Sequence, residues 1–298
     1  MTAHRPPVGE RVARLLERVG LAPGPVVAMV SGGADSTLLI SLLHDLGFDV
    51  RGLHVAHHLR GEASAADAEF CRRLPVPVTV VDGRVEAGAN LEARLRDVRR
   101  SAALAAAGGD PIATGHTATD RAETVLYRLA TSGGVNALPA LPPAAPPFYR
   151  PLLDVTRDEV RDELRRRGLD WREDSSNDDP AFARNRIRHE ALPVLLALNP
   201  RADANIARTA EVAAAERDLL AALAAPFVAD GAADLSFRRE HAALQREVVR
   251  RAAAAAGVTV QHADVEALIG ADGASRRTLP GGSEAVASAG WLRFNRPR

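Results

Sequence analysis

Six consecutive residues, Ser31-Gly32-Gly33-Ala34-Asp35-Ser36, stand between an apolar run at 26–30 and a helix-like apolar run at 37–43. A glycine-rich turn that ends a buried strand and opens a helix presents free backbone N–H groups and the positive end of a helix dipole. Both favour an anion. Small residues let a phosphate come close to the backbone. Asp35 would repel a bare phosphate, and its carboxylate makes sense with a divalent cation between the two. The commoner phosphate loop ends in Gly-Lys-Ser/Thr. That ending is absent here, because all 38 Lys and Arg positions are arginine.

Other residues carry chemistry by spacing. His116 follows Gly115 at the end of a short apolar run, and Asp120 and Glu123 come shortly after it. The i,i+3 spacing puts both carboxylates on one helix face, in a first turn where the dipole favours them. An isolated pair would be ordinary helix-end decoration. Beside a strand-end histidine in a nucleotide fold it suits catalysis. Arg184, Arg186 and Arg188 crowd one helical segment, with Arg184 and Arg188 on a shared face. Guanidinium forks suit phosphate or carboxylate, and the plainer alternative is a solvated arginine-rich helix. His54, His57 and His58 close a strand. Consecutive strand residues point to opposite faces and no ligand spacing completes a tetrahedral set, so a strand-end substrate loop is a better reading than zinc.

The elements that must position these residues alternate. Helix patterns at 10–19, 37–46, 63–73, 91–107 and 119–130 interleave with strand patterns at 26–30, 50–55, 76–81 and 111–114. This predicts an α/β fold, a parallel sheet covered by helices on both faces, with ligands at the carboxyl ends of the strands. A proline-rich stretch at 137–151 reads as a loop near the site. Thr156 and Glu159 form the signature of a capping box, Gly168 ends that helix, and 182–198 is again helical. The expected organisation is a catalytic domain over 1–200, a linker helix over 201–225 and a small, mostly helical domain over 226–298 that ends in a hairpin.

Composition bounds the rest. The chain has 298 residues, 46% hydrophobic and 26% charged, ordinary values for a globular protein. No apolar run approaches a membrane span and the N-terminus reads as a helix, not a signal peptide. Cys71, the only cysteine, excludes an internal disulfide and any Cys-x-x-Cys site, and a cytoplasmic location follows. The zero net charge gives no global pull on nucleic acid, but arginine clusters such as Arg94, Arg96, Arg99 and Arg100 offer local phosphate contacts. The cluster at 161–167 alternates with acids and reads as a paired, solvated face.

The sextet resembles the pyrophosphate-binding loop of the N-type ATP pyrophosphatases. That loop, His54-Val55-x-His57-x-Leu59-Arg60, Asn90-Leu91-Glu92-Ala93-Arg94-x-Arg96, Gly115-His116…Asp120-x-x-Glu123-Thr124, Arg150-Pro151-Leu152-Leu153 and Arg184-Asn185-Arg186-Ile187-Arg188-His189 occur in this order. Together they resemble the tRNA(Ile)-lysidine synthetases, over about residues 24 to 195. The resemblance implies an adenine nucleotide alpha hydrolase-like fold and a two-step ligation. ATP adenylates C2 of the wobble cytidine of a CAU-anticodon tRNA(Ile), pyrophosphate leaves, and free lysine displaces AMP. It implies nucleotide binding by Ser31, Gly32, Gly33, Ala34, Asp35 and Ser36, with Mg²⁺ at Asp35. Catalytic roles fall on Asp35, His116, Asp120, Glu123 and Arg186, and substrate contacts on Arg60, Arg94, Arg184, Asn185 and Arg188. It allows a homodimer and implies no membrane. Ala56 stands where the family has Asn, and Thr117 and Thr119 stand where Gly-His-His-Ala-Asp-Asp carries His and Asp. The alternatives are a tRNA thiolase of the same fold, which would need catalytic cysteines, an amidating synthetase of the GMP or NAD type, and an ATP- and RNA-binding module without catalysis.

Overall fold

The computed structural model describes residues 5–58, 62–85, 88, 91–131, 138–172, 183–271 and 273–297. Two compact units emerge, Met1–Glu211 and Val212–Arg298. The first runs α1 (Val8–Arg18), β1 (Pro25–Met29), α2 (Ala34–Asp45), β2 (Asp49–Ala56), α3 (Glu62–Arg72), β3 (Val78–Asp82), α4 (Leu91–Ala107), β4 (Ile112–Ala113) and α5 (Ala118–Thr131). There follow β5 (Ala144–Ala145), β6 (Phe148–Tyr149), α6 (Arg157–Arg167), α7 (Ala183–Arg186), a π-helical turn (Ile187–Ala191), α8 (Leu192–Leu198) and α9 (Ala202–Ala224).

The sheet order is β3-β2-β1-β4-β6-β5. All neighbours are parallel except the edge pair β5–β6. The chain steps outward from β1 to β3, then returns to place β4 on the other side of β1. That reversal is the switch point at which open α/β sheets bind ligands. Along β1 the side chains alternate: Val26 and Ala28 join a core with Leu38, Leu39, Leu42 and Val160, while Val27 joins Leu53, Ala103, Ala107 and Ile112. Helices therefore seal both faces, and these near-continuous apolar strands are what a sheet buried on both sides requires.

The proline-rich stretch, described from residue 138 on, is ordered and carries two short strands. It folds into the β5–β6 corner, and Arg121, Arg128 and Arg150 donate to the carbonyls of Leu141, Pro139 and Pro142 at 3.0, 2.7 and 2.7 Å. Proline offers no N–H to a ladder, so side-chain donors take over its carbonyls.

The second unit holds the end of α9, then β7 (Val228–Ala229), β8 (Ala232–Asp234), α10 (Ala242–Ala255), α11 (His262–Gly270), β9 (Ser275–Thr278), β10 (Glu284–Ser288) and β11 (Trp291–Asn295). The expected terminal hairpin is β10–β11, turned by Ala289 and Gly290 at φ 49° and 82°, the positive angles of a tight two-residue turn. It forms part of a five-stranded sheet, β7-β8-β11-β10-β9. Phe237, Val248, Val249, Leu292 and Phe294 give this unit its own core.

Candidate active site

The 31–36 loop sits at the switch point, between the ends of β1 and β4. Gly32 turns the chain at φ 84°, and a Cβ there would lie 3.3 Å from Phe70 and 3.4 Å from the Cys71 sulfur. Gly33 caps α2 without a side chain, which leaves the first-turn N–H groups unmet within the helix. The Ser36 hydroxyl ties the loop, accepting from the Ser31 N–H at 3.2 Å and donating to the Gly33 carbonyl at 3.0 Å. Arg172 donates its backbone N–H to the Gly32 carbonyl at 2.9 Å. Gly115, just past β4, packs so close that a Cβ there would come 3.2 Å from the Ser36 nitrogen. The loop is thus a fixed cradle with small residues on both sides.

Beside it lies a charge cluster. Glu123 is wholly buried, and three guanidiniums enclose its carboxylate: Arg188 at 2.7 and 3.0 Å, Arg157 at 3.3 Å and Arg184 at 3.3 Å. Asp120 accepts from Arg157 at 3.0 Å and from the backbone N–H and hydroxyl of Thr117 at 2.8 and 2.9 Å. Thr117 takes the Asp120 N–H in return at 3.2 Å, a reciprocal box that fixes the first turn of α5. Asp35 reaches Arg157 at 3.8 Å through Oδ2, while its Oδ1 is buried and has no hydrogen-bond partner. Three carboxylates and three arginines from α2, α5, α6, α7 and the π turn therefore meet at the mouth of the loop.

Burial pushes the Asp35 carboxyl up to about 7, helped by the Asp120 charge and opposed by Arg157, Arg188 and Arg161. Burial alone would also raise Asp120, but Arg157, His116, Arg184 and the Thr117 N–H outweigh it and hold Asp120 at about 2. Burial brings His116 down to about 4 against the pull of Asp120, so its ring is neutral at pH 7. The Thr114 hydroxyl donates to the Tyr149 carbonyl at 3.3 Å and lies 2.9 Å from His116 Nδ1. A neutral imidazole carries one N–H and one lone pair, so in either tautomer one ring nitrogen of His116 can accept a proton. Burial would lower the Arg157 guanidinium, and Asp120, Asp35 and Glu123 more than reverse that.

The PP-loop domain family matches residues 7–195. A tRNA(Ile)-lysidine synthase of Pseudomonas syringae is 38% identical over 80% of this chain and 57% of its own length. That of Solibacter usitatus is 39% identical over 93% of this chain and 68% of its own. The chain belongs to the tRNA(Ile)-lysidine synthase family. It is shorter than several relatives, spanning 47% of the Deinococcus radiodurans enzyme at 36% identity. Its fold is similar to that of a U34-tRNA thiolase from Methanococcus maripaludis solved with its 4Fe–4S cluster (TM-score 0.56, 19% identity, 68% of this chain and 76% of that one).

Within this family member the expected residues divide. Ser31, Gly32, Gly33, Ala34, Asp35, Ser36, His116, Asp120, Glu123, Arg184 and Arg188 come together around the loop and the cluster. Arg186 points elsewhere, exposed and paired with Glu190 at 3.2 Å. Asn185 shares α7 with Arg184, and Arg94 is half-buried on α4. Arg60 lies outside the described residues. Of the strand-end histidines, His54 Nδ1 lies 2.9 Å from the Val30 carbonyl and His57 Nδ1 lies 2.7 Å from that of Gly83. Among the described residues no three His, Cys, Asp or Glu side chains are arranged so that they could together hold a metal ion, and no helix is long and apolar enough to cross a membrane. Sequence reasoning did not single out Arg157. Its signal was its place directly after the Thr156 cap, downstream of Arg150-Pro151-Leu152-Leu153.

Proposed function

We propose that this protein ligates lysine to C2 of the wobble cytidine of a CAU-anticodon tRNA(Ile) at the expense of ATP. The observation that carries this reading is the 31–36 cradle at the switch point, with the unpartnered Oδ1 of Asp35 at its mouth. A bound Mg²⁺ usually takes one or two protein carboxylates and fills its remaining positions with phosphates and water. A single orphaned carboxylate oxygen beside a phosphate cradle fits that requirement, and Asp35 would hold the ion. The ion would supply charge neutralisation on the phosphates.

In the first step the cytidine C2 oxygen attacks the α-phosphorus, the bond to the β-phosphate oxygen breaks, and pyrophosphate leaves. Loop N–H groups would stabilise the charge that gathers there. The base must leave its stack, at a cost of a few kcal/mol. In the second step the lysine side-chain amine attacks C2 and AMP leaves with the C2 oxygen. The amine arrives as an ammonium and needs counter-charge, which Asp120 and Glu123 carry. In this structure arginines occupy both. Phosphates that draw Arg184 and Arg188 away would free the carboxylates for the ammonium, so nucleotide binding would precede lysine binding. His116, neutral and so carrying one ring-nitrogen lone pair, is suited to take the proton that the attacking nitrogen sheds.

The thiolase alternative loses ground at Cys71. Its thiol is buried beneath Gly32, and burial pushes it up to about 12, which withholds the thiolate that sulfur chemistry needs. Incubation with ATP, lysine and a CAU-anticodon transcript, followed by nucleoside mass analysis, tests the proposal. Lysidine with AMP and pyrophosphate supports it. Turnover only with a sulfur donor, or to ADP and orthophosphate, overturns it.

A further inference from the structure

Arg157 holds its guanidinium among three carboxylates: Nη2 lies 3.0 Å from Asp120, Nη1 3.3 Å from Glu123 and Nε 3.8 Å from Asp35. A second set of contacts fixes it from behind. Arg157 is the first residue of α6, and no carbonyl of its own helix can accept its backbone N–H. That N–H donates to Thr119 Oγ1 at 3.0 Å. The Thr119 hydroxyl passes its single hydrogen to Asp203 Oδ2 at 2.7 Å, which aims a lone pair at Arg157. The second oxygen of Asp203 accepts the Ala204 N–H at 2.7 Å. Thr119 and Asp203 are both buried, so water does not compete for these bonds. A carboxylate at position 119 has no hydrogen to give and would face Asp203 as a like charge. The hydroxyl is what makes this pairing work.

We propose that Asp203 and Thr119 form a positioning relay for the start of α6, and that Arg157, so held, is the guanidinium that meets the pyrophosphate group of the nucleotide. This rests on the reading of 31–36 as the nucleotide cradle. The Arg157 side chain is 19% exposed, open enough to touch a ligand, and its fork of donors matches phosphate oxygens. A cation fixed before the ligand arrives needs no reorganisation when charge builds on the leaving group.

Calorimetric titration of the full chain with inorganic pyrophosphate and Mg²⁺ reads the relay directly. Arg157→Lys should bind about tenfold more weakly and Thr119→Val about fivefold more weakly, while Thr119→Ser, which keeps the hydroxyl, stays within about twofold. The double variant Thr119→Val/Arg157→Lys should be no weaker than Arg157→Lys, because both losses act through one guanidinium. If Thr119→Val fails to fold, Asp203→Ala replaces it with the same expectation. Unchanged binding by Thr119→Val, losses that multiply in the double variant, or no pyrophosphate binding by the unaltered chain would each overturn the relay. An unaltered chain that binds pyrophosphate and shows this pattern but makes no lysidine supports the relay and sinks the proposed reaction instead.

Discussion

Replacing Glu123 with Gln keeps the volume of the side chain and removes the charge that three arginines share. Glu123 is fully buried, and Arg157, Arg184 and Arg188 are 19, 27 and 19% exposed. Breaking a buried ion pair from one side costs about 3–5 kcal/mol. Here the guanidiniums keep a second counter-ion, since Asp120 lies 3.0, 3.9 and 3.7 Å from Arg157, Arg184 and Arg188. Partial solvation relieves them further, so the expected loss is about 2–3 kcal/mol. For a unit the size of Met1–Glu211, each kcal/mol moves the melting temperature by about 2–4 °C, which gives a fall of about 4–12 °C. Scanning calorimetry at 0.15 M and 1 M NaCl is the assay. Burial shields the cluster from salt, so the difference should persist at 1 M. Glu190→Gln, which breaks the exposed pair with Arg186, is the control and should leave the melting temperature unchanged. A Glu123→Gln protein that melts within about 1 °C of the unaltered chain, or a difference erased by salt, would show that this carboxylate does not organise the arginines.

Asp35 makes the chain pH-sensitive with a definite sign. Its folded pKa of about 7 exceeds the unfolded value of about 3.9, so the native state keeps a proton that the unfolded chain has lost. The stability this group contributes is present below about pH 4 and is lost as pH rises through 7. Asp35→Asn should gain on the unaltered chain across that window, by on the order of 2–4 kcal/mol at pH 8, and urea unfolding at pH 4.5 and 8 that gave equal gaps would contradict the assignment. Gly115→Ala puts a Cβ 3.2 Å from the Ser36 nitrogen; ATP binding should weaken by about tenfold or more as the cradle shifts, and an unchanged dissociation constant would show that the cradle tolerates the methyl group. Lysine should bind at least about tenfold more tightly in the presence of a non-hydrolysable ATP analogue, and equal retention in equilibrium dialysis with and without it would rule out the exchange of arginine partners. Thr156→Ala removes the capping box with Glu159 and should cost about 1 kcal/mol in urea unfolding, a value indistinguishable from zero being the contrary result.

Much of this fold was legible because each signal was local. The apolar run before Ser31, the glycines and the Thr156–Glu159 box each declare an element within a few residues, and the structure forms each where its pattern stands. What escaped was short or non-local. Strands β7 and β8, of two and three residues, are too brief for periodicity to register, and they exist because β11 offers β8 a partner and β8 in turn offers one to β7. The proline-rich stretch became a sheet corner with donors from two arginines of α5, Arg121 and Arg128, and from its own Arg150. Arg157 reads in sequence as one of many arginines beside acids. Its importance comes from residues 34, 37 and 122 positions away, Glu123, Asp120 and Asp35, and contacts of that range leave no local trace.

The cluster also explains why Asp35 is the carboxylate left with an unpartnered oxygen. Three arginines face three carboxylates, but their contacts are unequal. Asp120 and Glu123, set side by side on α5, take every contact of 3.3 Å or less. Asp35 receives one contact at 3.8 Å and keeps an oxygen with no partner. The same Asp120 that attracts Arg157 also repels Asp35, and burial adds to the pressure. An anion in that position gains little from its neighbours and a great deal from a divalent ion. Thr117 contributes to this inequality. By capping α5 through Asp120, it holds that carboxylate turned toward the arginines, so that local helix chemistry at Thr117 helps decide which acid keeps a free oxygen at the 31–36 loop.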